Sequence, residues 1–439
     1  MGKDCNIGLT ASYHTLGCKL NFSETSAIGR LLSERGIARA PRGVDPDIIV
    51  INTCSVTETA DKKGRQLIRR LASRYPDATI LVTGCYAQLK PDEIQKIEGV
   101  DIILGSNEKH RAAEFIDSWL IDRRKRVEVT PFKDINTFSP SCERGDRTRY
   151  FLKVQDGCDY FCTYCTIPFA RGGSRSGSVA EMVKLAEKVA QEGGKEIVIT
   201  GVNIGDFGKD SDENFFTLIK ALDKVKNIER YRISSIEPNL LTEEIIDWVA
   251  NESSRFMPHF HIPLQSGSDR VLKMMNRRYD TELFQSRIEM VKRMIPDAFI
   301  GVDVIAGARG ETPGEWEKSL EFIKSLPITR LHIFPYSERP GTAALMLGDS
   351  VPIAERHRRV KMLTAISDSK YDAFLKGNIG SEAEVLWEHP AHGGDRMHGF
   401  TRNYIRVTAP LRKEFINTIS KVRLTGIDPD DADSLTCNG

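Results

Sequence analysis

Short, continuous apolar runs, each followed by a helical stretch, limit the folds open to this chain more than any other feature. A run apolar at every residue needs both of its faces covered, as in a parallel sheet sandwiched by helices. Residues 47–53 (DIIVINT), 78–83 (ATILVT) and 101–104 (DIIL) are such runs, and 9–16 (LTASYHTL) is a fourth, weaker one. With helices predicted from an N-cap at Ser23, over 56–74 and around 108–121, the first 120 or so residues read as an open α/β sheet. Residues 122–148 are polar, contain Pro131, Pro140 and Gly145, and read as a linker. Strands are then expected near 150–155, 196–201, 230–235, 259–265, 298–307 and 328–336. Helices are expected near 179–192, 214–226, 242–251, 268–293 and 314–325. Six βα units predict a parallel barrel that is incomplete relative to the eight-stranded form. After a basic helix near 353–376, the segments AEVLWE, GFTRNYIRV and FINTISKVRLTGI alternate at period two, predicting a small antiparallel β-barrel of the oligonucleotide-binding kind. The class is therefore α/β, divided as 1–122, a linker 123–148, a barrel 149–372 and a terminal domain 373–439.

The bulk properties exclude more than they assign. A composition 40% hydrophobic and 28% charged excludes a disordered or fibrous chain. The net charge of +1 means that a nucleic-acid site would have to be a local patch. No apolar run approaches the roughly 18–20 residues that span a bilayer. The N-terminus MGKDCNIG has no secretory layout, so no membrane and a cytoplasmic location are expected. In that reducing setting, nine cysteines point to metal or catalysis rather than disulfides. Cys5, Cys142 and Cys437 sit in poorly patterned stretches and read as incidental thiols.

Residues 157–165, GCDYFCTYC, place Cys158, Cys162 and Cys165 on a loop after the first barrel strand. A structural zinc site needs four ligands, and no fourth cysteine or close histidine accompanies these three. A 4Fe–4S cluster on three thiolates leaves one iron open. Loops at the carboxyl ends of barrel strands carry chemistry, which favours the cluster. Cys18, Cys54 and Cys85 are far apart in sequence and could be three unrelated buried thiols. Each, however, follows an apparent strand directly: HTLGC, VINTC, LVTGC. Such strand ends share one edge of an open sheet, where ligands bind. That makes a second three-cysteine cluster site.

These features carry a resemblance. C-x3-C-x2-C after the first strand of a βα barrel resembles the radical S-adenosylmethionine superfamily. LGCKLNFSET, NTCSVTETADKKGRQLIRR and TGCYAQ resemble the N-terminal domain of its methylthiotransferase family. The family pattern continues in DGCDYFCTYCTIPFARGGSRS, TGVNIGDFG, HIPLQSGSDRVLKMMNRRY and FPYSERPGTAA, in order from residue 15 to residue 344. GFTRNYIRV resembles the family's RNA-binding TRAM domain. The resemblance implies a tRNA-modifying transferase with two 4Fe–4S clusters. The one on Cys158, Cys162 and Cys165 cleaves S-adenosylmethionine to a 5′-deoxyadenosyl radical. The auxiliary one on Cys18, Cys54 and Cys85 supplies or carries sulfur that is methylated from a second S-adenosylmethionine. The radical takes hydrogen from C2 of an adenine, and the methylthio group joins that carbon. A sulfur source and an external electron donor such as a flavodoxin are implied. The oligomeric state is left open, and a monomer is compatible.

The same resemblance implies further sites. Tyr164 would lie against the cofactor's adenine, with loop packing as the alternative. Gly201, Asn203, Ser234, Glu237, Gln265 and Asp303 fall at barrel strand ends and would contact or support the cofactor. The next family segment departs here, reading GARGET with Ala308 and Arg309. Arg171 and Arg175 are candidates for the cofactor carboxylate or an RNA phosphate, or else surface charge. Phe400, Arg402, Tyr404 and Arg406 would bind RNA on one β-surface, the alternative being a solvated strand. The run 353–361 (IAERHRRVK) reads as a solvated helix face, the alternative being a phosphate contact.

Three target branches are open: N6-isopentenyladenosine of tRNA, N6-threonylcarbamoyladenosine of tRNA, and an aspartate of a ribosomal protein. SVTETADKKGRQLIRR after Cys54 resembles the threonylcarbamoyladenosine branch. Its Lys62, Lys63, Arg65, Arg69 and Arg70 make a basic helix suited to an anticodon stem–loop. A non-catalytic iron–sulfur RNA-binding protein is the alternative of another class, and two open-iron sites argue against it.

Overall fold

The computed structural model describes residues 8–145, 147–388 and 394–438. The N-terminal apolar runs form a six-stranded, wholly parallel sheet. Its strands are β1 (Thr10–Thr15), β2 (Ala38–Arg39), β3 (Ile48–Thr53), β4 (Thr79–Gly84), β5 (Ile102–Leu104) and β6 (Arg126–Glu128), in the order β2-β1-β3-β4-β5-β6. Between them run α1 (Lys19–Ser33), α2 (Glu58–Arg74), α3 (Cys85–Leu89), α4 (Pro91–Gln95) and α5 (Ala112–Asp122). The strand pleat explains the apolar runs. Ile48 and Val50 pack with Ile28 of α1 and Ile116 of α5, while Ile49 and Ile51 pack on the other face with Ile68 and Leu71 of α2.

Two expectations are corrected here. The first helix begins four residues before Ser23, at Lys19, with Cys18 as its N-cap. Ser23 is buried, and its hydroxyl reaches Ser141 and the Phe151 carbonyl. The 123–148 segment is not simply a linker. It supplies β6 to the sheet and β7 (Ser141–Glu143) to the next domain, because each strand satisfies backbone groups of an exposed sheet edge.

In the central domain β7 lies antiparallel to β8 (Tyr150–Lys153). A short ribbon of β9 (Gln155–Asp156) and β10 (Arg175–Ser176) flanks α6 (Ile167–Arg171). Then follow α7 (Val179–Gln191), β11 (Glu196–Thr200), α8 (Phe215–Asp223), β12 (Arg230–Ile233), α9 (Glu243–Asn251) and β13 (His259–His261). The expected 268–293 helix is broken into α10 (Asp269–Met274) and α11 (Thr281–Met294), before β14 (Phe299–Ala306), α12 (Pro313–Ser325) and β15 (Arg330–Pro335). β8, β11 and β12 are parallel neighbours, as are β13, β14 and β15, and a Ser235–His261 bridge joins the two sets into a six-stranded partial barrel.

A 26-residue helix, α13 (Ile353–Asn378), leads to the C-terminal domain. Residue 372 is therefore not a break in the chain. Tyr371 and Leu375 of α13 pack with Val385 and Trp387 of the terminal core. β16 (Glu382–Trp387), β17 (Arg396–Thr401), β18 (Arg406–Pro410), β19 (Ile419–Asp428) and β20 (Asp431–Asn438) close in the order β16-β17-β18-β20-β19. The barrel is not wholly antiparallel, since β18 and β20 pair in parallel to complete the closure. Among the described residues no helix is long and apolar enough to cross a membrane.

Candidate functional site

Cys18, Cys54 and Cys85 emerge at the carboxyl ends of β1, β3 and β4, three adjacent strands. Neighbouring strands lie about 4.8 Å apart, so the three loops fall on one short stretch of sheet edge. Glycine sets their approach at two points. Gly17 and Gly84 have φ of +103° and +97°, and a Cβ on Gly84 would lie 2.3 Å from the Thr53 carbonyl oxygen. Burial pushes the Cys54 thiol up to about 12, with proximity to Cys85 and, more weakly, Cys18 adding to the shift. Burial also raises Cys85, against the pull of the Arg171 guanidinium. These thiols thus act on one another electrostatically, and forming thiolates there calls for added positive charge, which iron provides.

The second trio sits on the loop from β9 to α6. Burial, reinforced by Cys162, pushes the Cys165 thiol up to about 12, and burial likewise raises Cys158 to about 12. The loop is held from outside by the turn after α10. Thr163 N–H donates to the Met275 carbonyl at 3.1 Å, and the Asn276 side chain donates to the Tyr160 carbonyl at 2.9 Å. Arg277 donates to Cys162 Sγ at 3.2 Å and pairs with Glu237. Phe161 within the loop has φ +46° and Gln265 after β13 has φ +69°, two non-glycine residues held in the left-handed region at one site. Among the described residues no three His, Cys, Asp or Glu side chains converge as around a single metal ion. The donor chemistry of each trio, three thiols on glycine-bearing loops, fits an iron–sulfur cluster.

The two trios sit on loops in direct contact. Thr166, next to Cys165, donates through its hydroxyl to the carbonyl of Ser55, next to Cys54, at 3.4 Å. Arg339 braces this junction, donating to Ser55 Oγ at 2.8 Å and to Asp61 Oδ2 at 2.7 Å. A cavity of about 240 Å³ opens beside it. Val56 and Thr57 line it from the N-terminal domain; Tyr164, Gln265, Asp303 and Phe334 line it from the barrel. Val56 and Phe334 are 51% and 45% exposed, leaving an apolar rim for a flat group.

The expected cofactor residues divide. Tyr164, Gln265 and Asp303 meet in that cavity, and Asp303 Oδ1 lies 2.7 Å from His261 Nε2. Gly201, Asn203 and Ser234 stand at the ends of β11 and β12, outside that lining, and Asn203 donates to Asp206. Glu237 is spent on Arg277 and so bears on the cysteine loop through that residue. Ala308 is buried behind Tyr164, while Arg309 is tied to the Leu347 carbonyl and Glu338.

The arginine candidates are corrected by their partners. Arg171 is neither surface charge nor open to a ligand. It is buried against Glu24 at 3.0 Å, Asp156 at 2.9 Å and Asn21 at 2.6 Å. Arg175 joins Asp156 at 3.6 Å. Lys109 and Lys153 complete the network, binding Glu24 at 2.5 and 2.9 Å. Burial alone would raise the Glu24 carboxyl, but Arg171, Lys109 and Lys153 outweigh it and hold it well below its usual range. This network joins α1 to the barrel directly behind the first trio.

Of the basic helix, Arg65 is held by Glu58, Glu93 and Tyr86, whereas Lys62, Lys63, Arg69 and Arg70 are exposed. In the terminal barrel Phe400 and Tyr404 do not form an open stacking surface. They stack on each other at 4.9 Å and are covered by Arg149 and Arg232 of the central domain at 4.6 and 4.7 Å. Arg402 donates to the Ser254 carbonyl, and Arg406 pairs with Asp431. The four residues lie at a domain seam, because closing the terminal barrel turns that strand towards β12. Of the three incidental thiols, Cys142 is buried in β7 and Cys437 half-buried in β20. Cys5 lies outside the described residues. Lys19, Arg277 and the Glu24–Asp156 network escaped sequence reasoning, since periodicity carries no signal for contacts between domains.

Residues 10–105 match the uncharacterized protein family UPF0004, and residues 152–323 match the radical SAM superfamily. The chain is 40% identical to "Threonylcarbamoyladenosine tRNA methylthiotransferase MtaB" of Bacillus subtilis, covering 94% of this chain and 93% of the relative. It is 36% identical to the protein of that name in Thermotoga maritima, over 90% of each. The "tRNA-2-methylthio-N(6)-dimethylallyladenosine synthase" of Protochlamydia amoebophila is 29% identical over 94% and 93%. Among solved structures, the radical S-adenosylmethionine methyltransferase TsrM of Kitasatospora setae aligns over 74% of this chain and 72% of its own, with a TM-score of 0.56 at 12% identity, a likeness of fold.

Proposed function

The chain belongs to the radical S-adenosylmethionine tRNA methylthiotransferases, and on that premise we propose that it converts N6-threonylcarbamoyladenosine beside the anticodon to its 2-methylthio form. The observation that carries the reading is the contact between Ser55 and Thr166, which sets the loops of two cysteine trios against one shared cavity. Cys158, Cys162 and Cys165 would hold the cluster that binds S-adenosylmethionine, and Cys18, Cys54 and Cys85 an auxiliary one. When bound, these groups supply one-electron cleavage chemistry together with the sulfur and methyl to be transferred; an external electron donor such as a flavodoxin would serve them.

The protein's own part is positioning and exclusion of water. Tyr164, Gln265 and Asp303 would hold the cofactor's organic portion, and the Val56–Phe334 rim would receive the target base. Arg277 orients the cysteine loop and, as a donor to Cys162 Sγ, favours the thiolate. The exposed Lys62, Lys63, Arg69 and Arg70 would meet RNA phosphates. Greater identity to relatives named for threonylcarbamoyladenosine than to those named for dimethylallyladenosine supports that nucleotide.

Nucleoside mass spectrometry of tRNA from a strain deleted for this chain tests the assignment. The 2-methylthio form of N6-threonylcarbamoyladenosine is expected to disappear, with the unthiolated nucleoside rising in its place. Loss of the isopentenyladenosine product instead would move the protein to the other tRNA branch, and unchanged tRNA would remove both.

A further inference from the structure

A second cavity, of about 520 Å³, lies inside the barrel where all three domains meet, within the size range of small-ligand sites. Its walls include Lys19 from α1, His259, His261 and His332 from β13 and β15, and Tyr404 and Arg406 from the terminal barrel. Positive charge is in excess around it. No hydrogen bond or ion pair of Lys19 is seen among the described residues; Tyr404 lies near it, and the cations around it are Arg149, Arg232 and Arg147. The nearby pairs Arg149–Glu388 at 2.6 Å and Arg232–Glu196 at 3.0 Å use the available carboxylates. His259 is 4% exposed and its Nδ1 is unpaired; Arg406 Nε is unpaired as well. Arg330, also on the wall, is already met by Asp433 at 2.8 Å. Lys19 is half-buried among these cations, and a surplus of positive charge in a roomy cavity is what an anionic ligand relieves.

The position narrows the ligand. Asp303 lines the cavity beside the junction of the two cysteine loops, and its hydrogen-bond partner His261 lines this one. From Phe334 back to His332 along β15 is two residues, about 7 Å, and Gln265 stands four residues beyond His261, the last residue of β13. On an adenine, C2 and the N6 substituent flank N1 and diverge. A base with C2 at the cysteine trios can therefore send its N6 substituent down the barrel towards Lys19.

We propose that this cavity receives the N6 side chain of the substrate and that Lys19 binds its terminal carboxylate, making Lys19 a specificity-determining residue. The inference rests on threonylcarbamoyladenosine being the substrate. The aliphatic N6 group of isopentenyladenosine would leave Lys19 without an acceptor, which disfavours it here.

The test uses the reconstituted full chain and three anticodon stem–loops: one with N6-threonylcarbamoyladenosine, one with its carboxyl capped as a methylamide, and one with unmodified adenosine. Wild-type protein should bind the acid about tenfold or more tighter than the amide. Lys19→Met should bind acid and amide alike, matching the wild type on the amide, and Lys19→Arg should keep part of the preference. Because Lys19 adjoins Cys18, iron content and the visible spectrum are compared for each variant. His332→Trp, which fills the cavity far from any cysteine in sequence, should erase the preference independently.

Equal weakening of all three RNAs by Lys19→Met would mean a phosphate contact and overturn the proposal. So would a wild type indifferent to the amide, or a preference that survives both Lys19→Met and His332→Trp. Wild-type protein that makes no 2-methylthio product from the acid stem–loop sinks the substrate reading. Product from the wild type, with the preference intact in both variants, sinks only the carboxylate site.

Discussion

Alanine at Cys158, Cys162 or Cys165 is expected to abolish formation of 5′-deoxyadenosine, whereas alanine at Cys18, Cys54 or Cys85 should spare part of that cleavage and stop methylthiolation. Each trio would anchor a cluster of four irons through three thiolates, so one deletion leaves two ligands and an unstable cluster. Iron in the anaerobically reconstituted protein should fall from about eight to about four per chain for a change in either trio. The two classes of variant part in chemistry because the trios occupy different domains, joined at the loops carrying Ser55 and Thr166 and through Arg171. Cleavage lost on changing Cys18 and spared on changing Cys158 would mean that the two roles are exchanged. A wild-type protein that never exceeds four irons would eliminate the auxiliary site.

Replacing Glu24 with glutamine should destabilise the iron-free protein by about 3–5 kcal/mol, the cost of leaving buried partners of a charge uncompensated. Glu24 binds Lys109, Lys153 and Arg171, all nearly fully buried. Neutralising it leaves four cations, Lys109, Lys153, Arg171 and Arg175, facing the single carboxylate of Asp156. Urea unfolding of the two iron-free proteins measures the difference. Glu34→Gln serves as the control, removing an exposed pair with Arg30 that is worth about 0–1 kcal/mol. The pH dependence carries a sign. The folded Glu24 carboxyl sits below its ordinary value of 4.5, so between the two values the unfolded chain holds more protons. Stability from this group is complete above pH 4.5 and is lost as the pH falls below it. Glu24→Gln should accordingly show a shallower acid limb than the wild type. Equal stability of variant and wild type would show that the network does not hold α1 to the barrel.

Much of the architecture was legible because it follows from local pattern. The six parallel strands of the partial barrel and four of the six in the N-terminal sheet announced themselves as apolar runs, and the terminal barrel as period-two alternation; the polar β2 and β6 did not. The errors fell where local pattern is silent. Ser23 looks like an N-cap, but a serine hydroxyl satisfied by Ser141 across a domain boundary is equally good chemistry. Arg171 looks like a free cation because its partners Glu24 and Asp156 lie 147 and 15 residues away. Phe400 and Tyr404 look like a stacking surface until Arg149 and Arg232 arrive from another domain.

What the amino-acid order determined by itself was the parallel α/β plan, the period-two terminal barrel and the placing of six cysteines at strand ends and on one loop, since strand direction and pleat depend on near neighbours. Only the tertiary structure decided which charges are compensated. It sealed Arg171 and Glu24 together, turned Tyr404 inward and, among the described residues, left Lys19 without a counter-ion. Whether a charge finds a partner depends on groups brought together by folding, and sequence separation says nothing about that distance.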